Sequence, residues 1–340
     1  MTDALSIAEV TTTLARFLSE RWGEPVSVDG VEKIFGGASR ETFRLNARRR
    51  GGSQGLILRR DPPSSLIDTE RKLEYGAYCA IYPTGIPVPE PLFLEDDPSW
   101  LGQPFSIMAE IAGAKTDVST LDKAEREQLG REKWTLLGRL ATLDPVALGF
   151  PALTKLPLAD ECALRELDYW AGVIESDQME PQPIASAAIR WLRRNLPPPA
   201  RAVCVVHGDY RTGNFLYVPG VGIKGILDWE MCHLGDPLED LAWSLDPLWC
   251  WGEPTLAGRL LPVNEAIAAW SAASGFEVDE QAFRWWRIFA SLKALAIWIS
   301  SCEDFHRGAS KDAILAYAGW VMSARQNRIL LDYLNPEPSL

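Results

Sequence analysis

The stretch of the chain from residue 203 to residue 243 reads VCVVHGDYRTGNFLYVPGVGIKGILDWEMCHLGDPLEDLAW. It contains two short apolar runs, and polar side chains follow each run at once. The first run leads into His207-Gly208-Asp209, with Asn214 five residues after the aspartate, and the second run ends in Asp228. Short apolar runs bounded by glycine, proline and polar residues are typical of buried strands. The stretch therefore predicts two carboxylates and one amide at the ends of strands.

These three side chains, Asp209, Asn214 and Asp228, suit phosphate chemistry with a divalent cation. Mg²⁺ prefers oxygen ligands, and proteins commonly hold it with one or two carboxylates together with substrate phosphates. One carboxylate is then left for proton transfer. The order H-x-D-x₄-N, followed by an apolar strand that ends in Asp, parallels the catalytic loop and the metal-binding aspartate of protein kinases. Asp and Asn after strands also form ordinary turns, but the ordered set favours a catalytic site.

The segments HGDYRTGN, ILDWE and GDPLEDLAW resemble the aminoglycoside phosphotransferase and choline kinase family of small-molecule kinases, over residues 31 to about 324. The resemblance implies an α+β, protein-kinase-like bilobal fold, with a small antiparallel-sheet N-lobe and a large, mainly helical C-lobe. It also implies ATP and Mg²⁺ as cofactors. By this resemblance Asp209 is the catalytic base that deprotonates the acceptor hydroxyl, and Asn214 and Asp228 hold Mg²⁺ on the ATP phosphates.

The N-terminal half supplies candidate residues for the nucleotide. Gly36, Gly37 and Ser39 lie between two predicted strands, where backbone N–H groups of a loop would cover the phosphates; a plain hairpin turn is the alternative. Arg59 ends the run LILR and takes the place of the phosphate-contacting lysine of most kinases, as in choline kinases. Arg60 is its rival, because strand alternation turns only one of the two side chains inward.

Two further elements complete the predicted nucleotide site. Glu74, on the following helix, fits the family's glutamate that pairs with the basic strand residue, and Glu70 is the competing choice. Met108, Glu110 and Ile111 lie in the run IMAEI, which resembles the hinge strand whose backbone meets adenine.

The pattern changes along the chain from strands to helices. Glycine-punctuated apolar runs predict an antiparallel meander before residue 110, and longer runs with helical periodicity follow residue 113. We expect a nucleotide-binding lobe over residues 1–110 and a helical lobe with the catalytic loop, metal site and acceptor pocket over residues 111–340. The predicted strands are 31–35, 42–46, 56–60, 92–94, 104–111, 202–206, 215–218 and 225–227, and the predicted helices are 6–22, 67–81, 123–142, 160–176, 184–195, 265–273, 280–301 and 311–333.

Three polar residues near the motif have structural explanations as well. We expect His207 to buttress its loop through a backbone hydrogen bond, since Asp209 takes the place of the base. We expect Asp236 and Asp240 to cap a helix that starts with Pro237, although either could also bind metal.

Composition limits the class of protein. Lys and Arg number 34 against 46 Asp and Glu, for a formal net charge of −12, and 47% of the residues are hydrophobic. We expect no generic nucleic-acid partner, because phosphate neutralisation needs a basic surface. The most apolar late stretch, residues 283–299, contains Arg284, Arg287 and Lys293, so it predicts a buried helix and no membrane partner. Without a recognisable signal segment, we expect a cytoplasmic protein with reduced cysteines.

The expected activity is phosphoryl transfer from ATP to a hydroxyl of a small molecule. Only six residues separate Asp228 from Gly235, which leaves no room for a long peptide-docking activation segment. The acceptor stays open between an aminoglycoside-like antibiotic and a hydroxylated metabolite such as a hydroxyacyl-CoA, because ILDWEMCHLGDPLEDLAW also resembles kinase-like domains joined to acyl-CoA dehydrogenases. The alternative is a non-catalytic nucleotide-binding or regulatory protein, which the arginine at position 59 would allow.

Overall fold

A computed structural model of the protein describes residues 6–34, 40–61, 68–250, 252–310 and 312–335. The chain divides into two units, one of Met1–Lys115 with Leu216–Glu230 and the other of Thr116–Phe215 with Met231–Leu340. The predicted boundary at residue 110 lies near the end of the first segment. The later segment joins the first unit because Tyr217 forms a β-bridge with Lys115.

The first unit is built on a five-stranded antiparallel sheet. Its elements are α1 (Ile7–Trp22), β1 (Ser27–Ile34), β2 (Glu41–Arg49), β3 (Gly52–Arg60), α2 (Asp68–Ile81), β4 (Pro91–Glu95), β5 (Phe105–Ala109) and the hairpin strands β7 (Phe215–Val218) and β8 (Gly222–Ile226). The strand order in the sheet is β1-β2-β3-β5-β4. The β2–β3 hairpin closes with Arg49 opposite Gly52, within the stretch where the sequence predicts an antiparallel meander.

The core of the first unit lies between α1 and one face of the sheet. Helix α1 places Val10, Leu14, Phe17 and Leu18 on its buried side, as the 3.6-residue periodicity predicts. Phe17 meets the ring of Phe105 on β5 edge to face, with centroids 5.1 Å apart. This packing fixes the sheet, and with it the position of Arg59 near the end of β3.

The second unit is mainly helical. The elements are α3 (Lys123–Leu140), α4 (Cys162–Asp177), α5 (Pro183–Arg194), β6 (Cys204–Val206), β9 (His233–Gly235), α6 (Pro237–Ser244), α7 (Val263–Ser274), α8 (Glu280–His306), α9 (Ala313–Tyr317) and α10 (Ser323–Leu334). The long helix α8 is buried along most of its length and packs against α4, α5, α6 and α10. Strand β6 pairs antiparallel with β9, a three-residue strand that the sequence did not predict.

The C-terminal helix differs from its prediction as one element over 311–333. A π-helical segment, Ala318–Met322, separates α9 from α10. A Cβ at Gly319 would collide with Cys302 of α8, so the glycine permits a close approach between the two elements. Within the described ranges, no helix has the combination of length and apolarity that crossing a bilayer needs.

Candidate active site

The loop that follows β6 is held by a buried carboxylate. Asp240 accepts hydrogen bonds from the backbone N–H of His207 at 2.6 Å and from that of Gly208 at 3.0 Å. Gly208 has a φ of +85°, and a Cβ there would collide with the backbone of Met231. A glycine is therefore required at this position, because other residues rarely adopt this backbone and none would fit the space.

The expected capping role of Asp240 is wrong, whereas that of Asp236 is confirmed. Asp236 precedes Pro237, and its Oδ1 accepts the N–H of Leu238 at 2.8 Å, so it is the N-cap of α6. Asp240 lies one turn further along, where the helix's own N–H groups already have partners. Its carboxylate therefore satisfies the N–H groups of the neighbouring loop instead.

A buried lysine holds the same loop from the other side. Lys293 of α8 is 1% exposed, and its ammonium donates to the carbonyl of Gly208 at 2.8 Å and to Glu239 at 3.2 Å. The backbone of Gly208 is thus fixed through both its N–H and its carbonyl oxygen. His207 adds a local contact, as expected, since its Nδ1 accepts the N–H of Asp209 at 3.1 Å.

Three donors surround the carboxylate of Asp209. Its Oδ1 accepts from the indole N–H of Trp243 at 2.9 Å. Its Oδ2 accepts from Arg211 Nε at 3.1 Å and from the amide of Asn214 at 2.6 Å. A carboxylate has about four lone-pair sites, so these three contacts orient the group and leave room for one more donor.

The contacts of Trp243 and Arg211 with Asp209 were missed by the sequence analysis. Both residues lie inside the quoted stretch, within GDPLEDLAW and HGDYRTGN. Trp243 could have been predicted from its position on α6, three residues after Asp240. Since Asp240 contacts the loop after β6, a neighbouring side chain on the same helix can contact that loop as well.

The first unit contains a second group of charged side chains. The guanidinium of Arg59 on β3 pairs with Glu74 on α2, and its Nη2 lies 3.4 Å from Asp228 Oδ1. Glu74 also pairs with Arg40, which contacts Asp61 at 3.1 Å. The structure therefore brings together Arg59, Glu74 and Asp228 and adds Arg40, a buried cation that the sequence analysis did not select.

Asp228 has an unusual backbone that its neighbours stabilise. Its φ is +69°, a region that residues other than glycine seldom adopt. Its N–H donates to the hydroxyl of Tyr78 at 3.0 Å. Burial raises the pKa of Tyr78 to about 12, so this hydroxyl stays protonated. Strained backbone of this kind concentrates at functional sites.

Arg60, the rival of Arg59, has a different environment. Its guanidinium contacts Glu41 and donates to the carbonyl of Leu101 at 2.9 Å. The two arginines point to opposite faces of β3, as strand alternation requires. Arg60 links the sheet to the loop that contains Leu101, whereas Arg59 faces Glu74 and Asp228.

The remaining nucleotide candidates stay predictions. Met108 is buried on β5, and the N–H of Glu110 donates to Gly55 at 2.9 Å, so that N–H is not available to adenine. The side chain of Glu110 pairs with Arg44 at 2.7 Å, and Ile111 packs near Gly225. The predicted phosphate loop of Gly36, Gly37 and Ser39 lies outside the described residues.

The two predicted metal ligands fit a hard cation in their chemistry. The Nδ2 of Asn214 is engaged by Asp209, which leaves the amide oxygen as the ligand atom. The side chain of Asp228 is 31% exposed and offers carboxylate oxygens. Amide and carboxylate oxygens are ligands that Mg²⁺ accepts.

A buried network of charges supports the loop after β6 through Lys293. Glu239 lies between Lys293 and His233, whose Nε2 is 3.0 Å from Glu239 and 3.6 Å from Glu166. Burial alone would lower the pKa of His233, but the charges of Glu239 and Glu166 outweigh it and raise the pKa to about 9. His233 is therefore an imidazolium at neutral pH, in balance with the two carboxylates.

This pKa predicts a loss of stability in alkali. The raised pKa of His233 stabilises the fold fully below its ordinary value of 6.5. The contribution is lost as pH rises from 6.5 through about 9. We expect the free energy of unfolding to fall by a few kcal/mol across this range in wild type relative to His233→Gln, measured by urea denaturation between pH 6 and pH 10.

The comparison with His233→Gln is needed because Lys133 acts in the opposite direction. Burial, followed by the charge of Arg211, lowers the pKa of Lys133 to about 7, so its cost to folding fades as pH rises above 7. Identical pH profiles for wild type and His233→Gln would show that the imidazolium does not stabilise the network.

Known proteins are similar to this chain in sequence and in fold. A family model described as the phosphotransferase enzyme family matches residues 30–293. Acyl-CoA dehydrogenase family member 11 of Rattus norvegicus is 30% identical over 218 residues, which cover 62% of this chain and 27% of the relative. The chain thus spans about a quarter of the length of that relative.

Solved structures share the fold. A putative aminoglycoside phosphotransferase from Ralstonia eutropha JMP134 superposes with a TM-score of 0.77 at 21% identity, covering 97% of this chain and 99% of that one. A thermostable mutant of the aminoglycoside phosphotransferase APH(4)-Ia, in a ternary complex with AMP-PNP and hygromycin B, has a TM-score of 0.59 at 18% identity, covering 94% and 98%. The predicted α+β, kinase-like fold is confirmed.

Proposed function

The chain belongs to the phosphotransferase enzyme family, and we propose that it transfers the γ-phosphate of ATP, bound with Mg²⁺, to a hydroxyl group of a small molecule. The observation that carries this proposal is the environment of Asp209. Its carboxylate lies at the end of a strand, is fixed by three donors and keeps one acceptor position. That position suits the proton of an acceptor hydroxyl.

The proposed reaction is a single displacement. The acceptor oxygen forms a bond to the γ-phosphorus, and the bond from that phosphorus to the bridging oxygen of ADP breaks. The electron pair of the broken bond leaves with ADP, and the hydroxyl proton passes to Asp209. Catalysis then depends mainly on positioning and electrostatics, which Asp240 and Lys293 serve by fixing the backbone before Asp209.

The nucleotide side of the proposal uses Arg59, Glu74 and Asp228. The pair with Glu74 would hold the Arg59 guanidinium so that its remaining donors contact phosphate oxygens. Asn214 and Asp228 would hold Mg²⁺, which when bound offsets the negative charge of the phosphates. AMP-PNP in the APH(4)-Ia complex supports ATP as the donor.

We propose a small hydroxylated molecule as the acceptor. We further propose that the protein has no nucleic-acid or membrane partner and that it acts in the cytoplasm. One class is an aminoglycoside-like antibiotic, which hygromycin B in the APH(4)-Ia complex supports. The other is a hydroxyacyl-CoA, which the name of the acyl-CoA dehydrogenase relative supports.

The test is ADP release from Mg-ATP across a panel of hydroxyl compounds. The panel holds aminoglycosides, macrolides, choline, homoserine and short hydroxyacyl-CoAs, and the product mass is checked for one added phosphate. Release that depends on one acceptor class supports the proposal and identifies the substrate. Tight Mg-ATP binding without acceptor-dependent release from any of them would instead favour a nucleotide-binding protein.

We expect Arg59→Met to raise the KM for Mg-ATP by about tenfold or more, because a hydrogen bond to a charged group contributes about 1.5–3 kcal/mol. Arg59→Lys keeps the charge and should retain most of the affinity. Glu74 stays paired with Arg40 in both variants, so the fold should persist. Arg48→Met, at a side chain 65% exposed, is the control. An unchanged KM in Arg59→Met would remove Arg59 from the nucleotide site.

A further inference from the structure

A pocket of about 450 Å³ lies beside the catalytic loop, within the second unit. Its wall includes the side chains of Arg211, Arg259, Trp249 and Asp117. Neither arginine was selected from the sequence. Their presence decides what kind of ligand the pocket accepts, because guanidinium groups bind phosphate and carboxylate groups well.

Arg211 connects this pocket with the catalytic carboxylate. Its Nε donates to Asp209 at 3.1 Å, and its guanidinium lies 5.5 Å from the ring centre of Trp249. The side chain is 35% exposed. A guanidinium has five N–H donors in a fixed plane, so Arg211 can hold Asp209 with one edge and a ligand with another.

Arg259 is held in the pocket wall by a strained backbone. Its φ is +68°, and the residue before it, Gly258, is also left-handed with a φ of +52°. The carbonyl of Gly258 accepts the hydroxyl of Thr212 in the catalytic loop at 2.8 Å. A non-glycine residue in such a backbone costs on the order of 1–3 kcal/mol, and such residues are enriched at functional sites.

The guanidinium of Arg259 also has unmet hydrogen-bonding capacity. Its Nε is buried and has no hydrogen-bond partner among the residues that the structure describes. A buried donor without a partner is costly, and a bound anion would satisfy it. The left-handed backbone and the unsatisfied Nε donor are two separate observations that concern the same residue, Arg259.

The charged side chains around the pocket nearly balance one another. Arg211 pairs with Asp209 at 3.1 Å, and the carboxylate of Asp117, whose oxygens accept from Ser119 at 2.8 and 2.6 Å, also interacts with the charge of Arg259. Burial lowers the pKa of Lys133, behind the pocket, to about 7, so its ammonium adds only part of a positive charge at neutral pH. An anion would therefore be bound through the directed donors of Arg211 and Arg259 and not through an excess of positive charge.

We propose that this pocket binds a phosphate or carboxylate group of the acceptor, held by Arg259 and Arg211 close to the hydroxyl that Asp209 deprotonates. The inference rests on the proposed function and narrows it. The acceptor is then a small anionic hydroxy compound with its charge near the reacting hydroxyl. A polycationic aminoglycoside would meet two guanidinium groups and is disfavoured.

The test uses matched pairs of compounds that differ in charge. Glycerol 3-phosphate is compared with glycerol, and 3-hydroxybutyrate with butane-1,3-diol. Binding to the ADP-loaded protein is measured by calorimetry, and ADP release from Mg-ATP is measured with the same four compounds. We expect at least one charged member to bind, its neutral partner not to bind, and Arg259→Gln to weaken that binding by about tenfold to a hundredfold. The phosphate and carboxylate pairs separate the two possible anions.

Two further variants keep the test decisive. Arg259→Gly removes the charge but suits the left-handed backbone, so it should fold and lose the anion as Arg259→Gln does. Arg193→Gln, at an exposed arginine on α5 that pairs with Asp168, should bind like wild type.

Several results would overturn the proposal. The proposal fails if neither charged compound binds, if a neutral partner binds equally well, or if Arg259→Gln binds the charged compound as wild type does. It also fails if Arg259→Gln raises only the KM for Mg-ATP, because that result would assign the pocket to the nucleotide. Anion binding that depends on Arg259 without ADP release would contradict the proposed function while leaving the anion site in place.

Discussion

Asp209→Asn should lower the turnover number by about 10²–10⁴-fold, because the variant removes the carboxylate that we propose as the base for the acceptor hydroxyl. The KM for Mg-ATP should change little, since we propose that Asp209 contacts the acceptor and not the nucleotide. The measurement is acceptor-dependent ADP release by wild type and variant at saturating Mg-ATP, with the acceptor identified from the panel.

The same substitution also disturbs the hydrogen bonds of the loop. Three donors point at the carboxylate, from Trp243, Arg211 and Asn214. An asparagine amide opposes at least one of them with a donor of its own, so we expect a loss of about 1 kcal/mol in the free energy of unfolding. Asp168→Asn, on the exposed side of α4, is the matched control and should change neither quantity. Equal turnover in Asp209→Asn and wild type would mean that another group is the base.

The sequence predicts those contacts of the site that join residues close together along the chain. Asp209 and Asn214 lie five residues apart after one apolar strand, and the hydrogen bond between them at 2.6 Å closes that short loop. Arg59 and Glu74 are 15 residues apart on a strand and the helix that follows. Such spacings follow from the geometry of single elements and their turns.

Contacts between distant residues had no comparable signal. Asp240 is 33 residues from the N–H that it accepts, and Lys293 is 85 residues from the carbonyl of Gly208. From the sequence alone, an aspartate near the start of a helix predicts an N-cap, and a lysine in an apolar helix predicts a position on the exposed face of that helix. Only the packing of α6 and α8 turns these side chains toward the loop.

The fold shows the same division between local and distant causes. Some features involve only residues close together in sequence and can be predicted from it. Examples are the hairpin at Arg49 and Gly52 and the capping box of α1, formed by Ser6 and Glu9. The π-helical segment at Ala318–Met322 depends on the contact of Gly319 with Cys302, and strand β9 depends on its pairing with β6. Periodicity along one segment carries no information on such partners.

Lys293→Met should lower the free energy of unfolding by about 3–5 kcal/mol, the cost of leaving a buried charge without its partner. Lys293 and Glu239 are each 1% exposed, with 3.2 Å between ammonium and carboxylate. The methionine fills a similar volume, so the loss reflects charge more than packing. Urea denaturation at pH 7 measures it, and Lys123→Met, at a side chain 91% exposed, is the control, with an expected change below about 0.5 kcal/mol.

A double variant separates this charge effect from a general loss of packing. Glu239→Gln removes the carboxylate that Lys293 neutralises, so Lys293→Met combined with Glu239→Gln should be less destabilised than the sum of the two single variants. His233 also contacts Glu239, at 3.0 Å, so part of the loss should persist. Additive effects in the double variant would contradict the ion pair. Because Lys293 also fixes the carbonyl of Gly208, folded Lys293→Met should turn over more slowly at an unchanged KM for Mg-ATP, as a positioning residue requires.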